Sequence, residues 1–94
     1  MAVYLVTWNI NKERANYAQA RQAFIKNLDR YESISDQGLG SVRFISSSKN
    51  AGKIYEDLFK ALDNNDRIFV TKLTEGNFNG WCDEAVATWL NTRT

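Results

Sequence analysis

Alternation of apolar and polar residues predicts the strands of this chain, beginning with Val3 to Ile10. One set of alternate positions holds Tyr4, Val6, Trp8 and Ile10, and the other holds Val3, Leu5, Thr7 and Asn9. Apolar residues on both faces are typical of a central strand that is covered on both sides. Tyr31 to Ser35, Ser41 to Ser47 and Arg67 to Thr74 predict three further strands.

The two short strands are joined by the segment Asp36 to Gly40, which contains Gly38 and Gly40. Glycine adopts positive φ without steric cost, and tight hairpin turns require positive φ. We therefore expect a hairpin in which both glycines supply that conformation.

Apolar residues at three- and four-residue spacing predict three helices. The first follows the candidate caps Asn11 and Asn16, and a Ser/Asn cluster from Ser46 to Asn50 caps the second. The apolar positions are Tyr17, Ala20, Phe24, Leu28 and Tyr31 in the first helix, Ile54, Leu58 and Leu62 in the second, and Cys82, Ala85, Val86, Trp89 and Leu90 in the third. Asp63 to Asp66 ends the second helix. We expect Trp81 to pin the third helix to the sheet.

The order of these elements predicts an α+β fold of the ferredoxin-like type. The predicted order is strand, helix, strand, strand, helix, strand (βαββαβ), followed by a short C-terminal helix. This order gives a four-stranded antiparallel sheet with helices on one face. Residues 1–94 form one domain in this interpretation. The open sheet face and the edge strands need cover, and a second copy of the chain is the expected source.

Composition limits the chemistry more than it defines it. The 94 residues are 44% hydrophobic and 24% charged, with one cysteine and no histidine. Without histidine there is no Ser-His or Cys-His nucleophilic machinery, and most zinc sites are excluded. No pair of acidic residues has a spacing that places both on one face, so we predict no metal site and no cofactor. The apolar first segment is too short to span a membrane, and we expect a soluble, cytoplasmic protein.

Three segments resemble known nucleotide- or RNA-binding motifs, but each lacks residues that the motif requires. Ser47 to Ile54 lies where a phosphate-binding loop would, but lacks the first glycine and the final Ser/Thr. Gln37 to Phe44 has the spacing of glycine and apolar residues found in the sheet motif of RNA-recognition modules. Its two base-stacking positions are Leu39 and Ser41, which carry no aromatic ring. Gly38-Leu39-Gly40 has no third glycine at Arg43. A capped helix and a hairpin explain these segments.

Three segments resemble the SinR-like small bacterial proteins. Met1 to Lys12 is similar to their opening strand, Asp66 to Thr74 to their fourth strand, and Gly80-Trp81, with Ala85, Trp89 and Leu90 behind it, to their closing helix. These proteins form a branch of the ferredoxin-like superfamily that includes the second CRISPR-associated adaptation protein (Cas-two) and the VapD-type toxins. The resemblance implies a homodimer with a CRISPR, toxin or phage-defence role, which acts either as a metal-dependent endonuclease or as a non-catalytic nucleic-acid-binding subunit.

Asn9 is the residue that separates these two implied functions. The resemblance implies that, in nuclease members of the superfamily, an aspartate ends the first strand. That aspartate and the same residue of the second subunit hold a metal ion. An amide at this position lacks the charge that binds a dication and activates its water. We therefore expect a non-catalytic homodimer that binds nucleic acid or a protein partner. The alternatives are a metal-dependent phosphodiesterase using Mg²⁺ or Mn²⁺, with Asn9 as a weak catalytic candidate, and a structural or small-ligand module.

Local basic residues must carry any binding of nucleic acid, because the net charge is only +1. The candidates are Lys12 and Arg14 after the first strand, and Lys49 and Lys53 before and in the second helix. We expect these loop ends to converge and their charges to be exposed. Phosphate contacts of this kind are indifferent to base sequence and weaken with salt.

Overall fold

A computed structural model describes residues Met1–Thr94 and contains four strands and three helices. The elements are β1 (Ala2–Asn9), α1 (Tyr17–Leu28), β2 (Glu32–Ile34), β3 (Val42–Ser47), α2 (Ala51–Phe59), β4 (Arg67–Leu73) and α3 (Glu84–Arg93). The predicted order of elements is confirmed, and most predicted bounds differ from the observed ones by one to three residues.

The four strands form one sheet in the order β2-β3-β1-β4, and every neighbouring pair is antiparallel. On the central strand β1, Val3 lies opposite Ser46 of β3 and opposite Leu73 of β4. This arrangement confirms the α+β, ferredoxin-like prediction. It also places β2 and β4 at the two edges of the sheet.

The larger hydrophobic core lies between the sheet and the helices α1 and α2. It contains Tyr4, Val6, Trp8 and Ile10 from the first strand region, Ala20, Phe24 and Leu28 from α1, Ile45 from β3, and Ile54 and Leu58 from α2. The rings of Trp8 and Phe24 pack with their centroids 5.0 Å apart. The predicted face of β1 and the predicted stripes of both helices are therefore the buried ones.

The second face of the sheet is partly covered by α3, so it is less open than expected. Val86 and Leu90 of α3 form a smaller core with Val3 and Phe44. The helix starts at Asp83, whose backbone N–H donates to the Asp36 carboxylate at 2.8 Å. At its other end Arg93 pairs with Glu32 at 2.8 Å. These polar contacts hold both ends of α3 against the sheet, and Leu5, Ile34, Val42 and Leu73 are partly buried against the smaller core. Phe69 of β4, on the same face, stays 63% exposed.

Two local predictions about this region are wrong. The only positive φ in the chain belongs to Gly76, so neither Gly38 nor Gly40 adopts that conformation. The turn is instead organised by Asp36, whose Oδ1 accepts from the Gly38 N–H at 2.7 Å. Trp81 does not pin α3, since its side chain is completely exposed.

No helix in this structure has both the length and the apolar character needed to cross a membrane.

Candidate nucleic-acid interface

The four predicted basic residues do not form one cluster. Lys12 and Arg14 follow the end of β1, whereas Lys49 and Lys53 follow the end of β3. Because β1 and β3 are antiparallel and Ala2 lies opposite Ser47, these two pairs are at opposite ends of the sheet. A strand of this length separates them by roughly 25 Å. The expectation that they converge is wrong.

Arg14 is held in an internal ion pair. Its Nη1 lies 2.5 Å from Asp66 Oδ2, and the Arg14 side chain is only 15% exposed. The Asp66 carboxylate is fully buried and also accepts from the N–H groups of Asn11 at 2.9 Å and Asp63 at 3.0 Å. Burial by itself would raise the pKa of Asp66, but the two amides and the guanidinium outweigh it, and the pKa lies below its usual range. Arg14 therefore stabilises the corner of the fold and has little charge to offer a ligand.

At the other end of the sheet, the structure brings the predicted Lys49 together with three basic side chains that the sequence analysis did not single out. Asp57 of α2 lies 2.6 Å from Arg30, 3.8 Å from Lys60 and 4.0 Å from Lys49. Lys26 lines the same groove between α1 and α2. We call these residues, Lys26, Arg30, Lys49 and Lys60 around Asp57, the basic cluster.

In the basic cluster, the cationic side chains are much more exposed to solvent than the Asp57 carboxylate is. The Asp57 side chain is 13% exposed, against 58% for Arg30, 48% for Lys49 and 77% for Lys60. Burial by itself would raise the pKa of Asp57, but hydrogen bonds from Tyr31 and Arg30 and the charges of Arg30 and Lys49 outweigh it and lower the pKa. One shielded negative charge thus lies among three more exposed positive ones, with the exposed Lys26 in the same groove.

Tyr31 holds the centre of the basic cluster in place. Its hydroxyl donates to Asp57 Oδ2 at 2.6 Å and accepts from Lys49 Nζ at 3.3 Å, and that ammonium lies 5.1 Å from the centroid of the Tyr31 ring. Burial, followed by the neighbouring Asp57, raises the pKa of Tyr31 to about 12, so the hydroxyl stays protonated. The backbone of Lys49 is fixed as well, because its carbonyl accepts from the Tyr4 hydroxyl at 2.8 Å.

Lys53 adjoins the basic cluster without entering it. It lies one turn before Asp57 on the same side of α2, and its Nζ is 3.6 Å from Glu56. The helical spacing of Lys53, Asp57 and Lys60, together with the i,i+4 pair Lys26 and Arg30, was the available signal. Spacing within one helix does not show which side of α1 faces α2, so this signal alone does not place Lys26 and Arg30 beside Asp57.

Asn9 is exposed at the end of β1, where it lies opposite Arg67 of β4. Acidic and cysteine side chains nowhere come together in a group of three that could hold a metal ion.

Compared with protein-family models and with curated proteins, the sequence gives no match to either. The resemblance to the SinR-like proteins, and the pathway that it implies, therefore stay predictions.

Proposed function

We propose that this protein is a non-catalytic homodimer that binds nucleic acid through the phosphate backbone, with the basic cluster as its contact surface. The observation that supports this function is the local excess of positive charge. The whole chain carries a net charge of only +1, yet three cations lie within 4.0 Å of the shielded Asp57 carboxylate, and a fourth, Lys26, lines the adjoining groove between α1 and α2. A concentrated patch attracts a polyanion even where the global field is weak.

The chemistry of the basic cluster suits phosphate better than bases. Arg30 offers a planar fork that matches two phosphate oxygens, and the three lysines add flexible point charges. Asp57 and Tyr31 orient Arg30 and Lys49 before a ligand arrives, which lowers the entropic cost of binding. The surface has no exposed ring stack to read bases, so we expect little preference for sequence.

The test is a fluorescence-anisotropy titration of a labelled duplex at several salt concentrations. Wild-type affinity should fall with salt, with a log–log slope of about −0.9 for each phosphate neutralised. Replacing Lys26 and Lys60 by Ala should flatten the slope by about 1.8 in total. Folding should be unaffected, because Lys60 is 77% exposed and its ion pair with Asp57 is long.

Lys12→Ala is the matched control, since Lys12 is an exposed cation at the opposite end of the sheet. Its slope should equal that of the wild type. A Lys12 variant that loses as much slope as the Lys26/Lys60 variant would move the contact surface away from the basic cluster. Absence of binding by the wild type at low salt would contradict nucleic-acid binding and favour a protein partner instead.

A further inference from the structure

An apolar groove of about 410 Å³ opens on the α3 side of the sheet, opposite the basic cluster. Its walls include Leu5, Phe44, Leu73, Phe78, Trp81 and Leu90. None of the residues that line it carries a charge. We call it the α3-side groove. Apolar surface of this kind is unfavourable in water and marks a place where another surface packs.

Three of the five large exposed hydrophobic side chains of the chain belong to this side. Trp81, on the rim of the groove, is 100% exposed, and Leu39, on its wall, is 39% exposed. Phe69 is 63% exposed and lies opposite Thr7, so it shares the sheet face of Leu5 and Leu73. A fully exposed tryptophan buries no apolar area within its own chain, so burial of its ring does not stabilise the monomer. Tryptophan is the residue type that most often anchors a protein–protein contact.

We infer that a second copy of this chain packs against the α3-side groove about a two-fold axis, with Trp81 of each copy inserted in the groove of the other. This rests on the homodimer of the proposed function and specifies its interface. A two-fold contact uses the same surface twice, so that surface must carry both a projection and a recess. Trp81 and the groove beside it are such a pair.

Area and charge both favour a second copy on this face. Aromatic side chains bury about 150–250 Å² each, and Trp81 is 100% and Phe69 63% exposed, so the two residues from two copies would remove roughly 500–800 Å² from water. That is about a third to a half of a standard interface of roughly 1,600 Å², before Leu39 and the groove walls are counted. The uncharged groove brings no like charges together, whereas contact through the α1/α2 faces would oppose two basic clusters.

Sedimentation equilibrium of the wild type and of Trp81→Lys tests the interface. The wild type should show twice the 10.8 kDa chain mass, and Trp81→Lys should weaken the dimer by about 100- to 1,000-fold, because each dimer loses two anchors and buries two charges. Far-UV circular dichroism should be unchanged, since the Trp81 side chain is fully exposed. Tyr55→Lys, which changes a 43% exposed aromatic residue on α2, is the control and should leave the dimer intact.

Cys82 gives a second measurement, because it lines the groove and is the only cysteine. Its alkylation by iodoacetamide should be slower in the wild-type dimer than in Trp81→Lys. A wild-type dimer that Trp81→Lys leaves unchanged would overturn this interface and leave the homodimer standing. A wild type that stays monomeric at 100 µM would overturn both, while the salt-dependent titration reports separately on nucleic-acid binding.

Discussion

The Asp66 carboxylate ties together the three segments that meet at one corner of the fold. It accepts from the backbone N–H groups of Asn11 and Asp63 and from the Arg14 guanidinium, and its side chain is fully buried. Asp66→Asn keeps one acceptor but leaves Arg14 without its counter-ion. We expect a loss of about 2–3 kcal/mol in the free energy of unfolding, measured by urea denaturation at pH 7.

Asp63→Asn is the control for this prediction, because Asp63 faces the same Arg14 at 3.5 Å but is 46% exposed. It should cost well under 1 kcal/mol, as exposed pairs do. The pKa of Asp66 is lowered, so its stabilisation is complete above the unfolded carboxyl pKa of about 3.9 and is lost as the pH falls below that value. Equal losses for the two variants at pH 7 would contradict the role of Asp66.

Deprotonation of Tyr31 should lower the free energy of unfolding at alkaline pH. Its pKa is raised to about 12, so folding favours the neutral hydroxyl. That stabilisation is complete below the unfolded tyrosine pKa of about 10 and disappears as the pH rises through about 12. The difference between the tyrosinate absorbance titrations of the wild type and Tyr31→Phe should have its midpoint near pH 12. A midpoint near 10 would show that burial and the hydrogen bond to Asp57 do not raise the pKa of Tyr31 in solution.

At the scale of elements, α1 and α2 start in different ways. Asn50 caps α2, and its Oδ1 accepts from the Lys53 N–H at 2.9 Å. Asn16 occupies the same position in α1, but its side chain makes no capping hydrogen bond and accepts instead from Arg14. Asn50→Ala should therefore lower the free energy of unfolding by about 1 kcal/mol, and Asn16→Ala by a few tenths. Thermal unfolding of both variants measures the difference, and a reversed order would contradict this account of capping.

Periodicity was sufficient to predict the strands and helices, because the alternation in β1 and the stripes of α1 and α2 are set by burial in one core. The placement of α3 could not be predicted in the same way. Its position depends on Asp36 and Glu32, whose contacts with Asp83 and Arg93 join residues 47 and 61 positions apart. No local pattern encodes such pairs, and Asp36 reads in the sequence as an ordinary turn residue.

The candidate site was predicted only in part for a related reason. Lys49 belongs to the basic cluster, but Lys26, Arg30 and Lys60 join it only because α1 and α2 pack side by side. Arg14 reads as an exposed cation in the sequence, and only the fold brings Asp66 to it from 52 positions away. When tertiary packing brings charged residues from distant segments together, the spacing of those residues along the chain gives little indication of it.

At the scale of the whole molecule, a dimer makes thermal stability depend on protein concentration. Only the folded state associates, so mass action raises the unfolding temperature as the concentration increases. For a dimer of this chain length that unfolds in one step, we expect Tm to rise by about 3 °C for each tenfold increase in concentration. Differential scanning fluorimetry between 2 and 200 µM would measure it. Trp81→Lys should show almost no dependence, and an equal slope in both proteins would contradict a dimer held by Trp81.

The central position of β1 has a consequence for synthesis in the cell. Val3 pairs with Leu73 and Asn9 pairs with Arg67, so the middle of the sheet joins segments that are translated far apart in time. At about 5–20 residues per second, the ribosome needs roughly 3–13 seconds after Asn9 to complete β4. During that interval β1 is a strand with two apolar faces and incomplete pairing, which is the kind of nascent segment that chaperones protect. Slow translation between α2 and β4 should therefore lower the yield of folded protein.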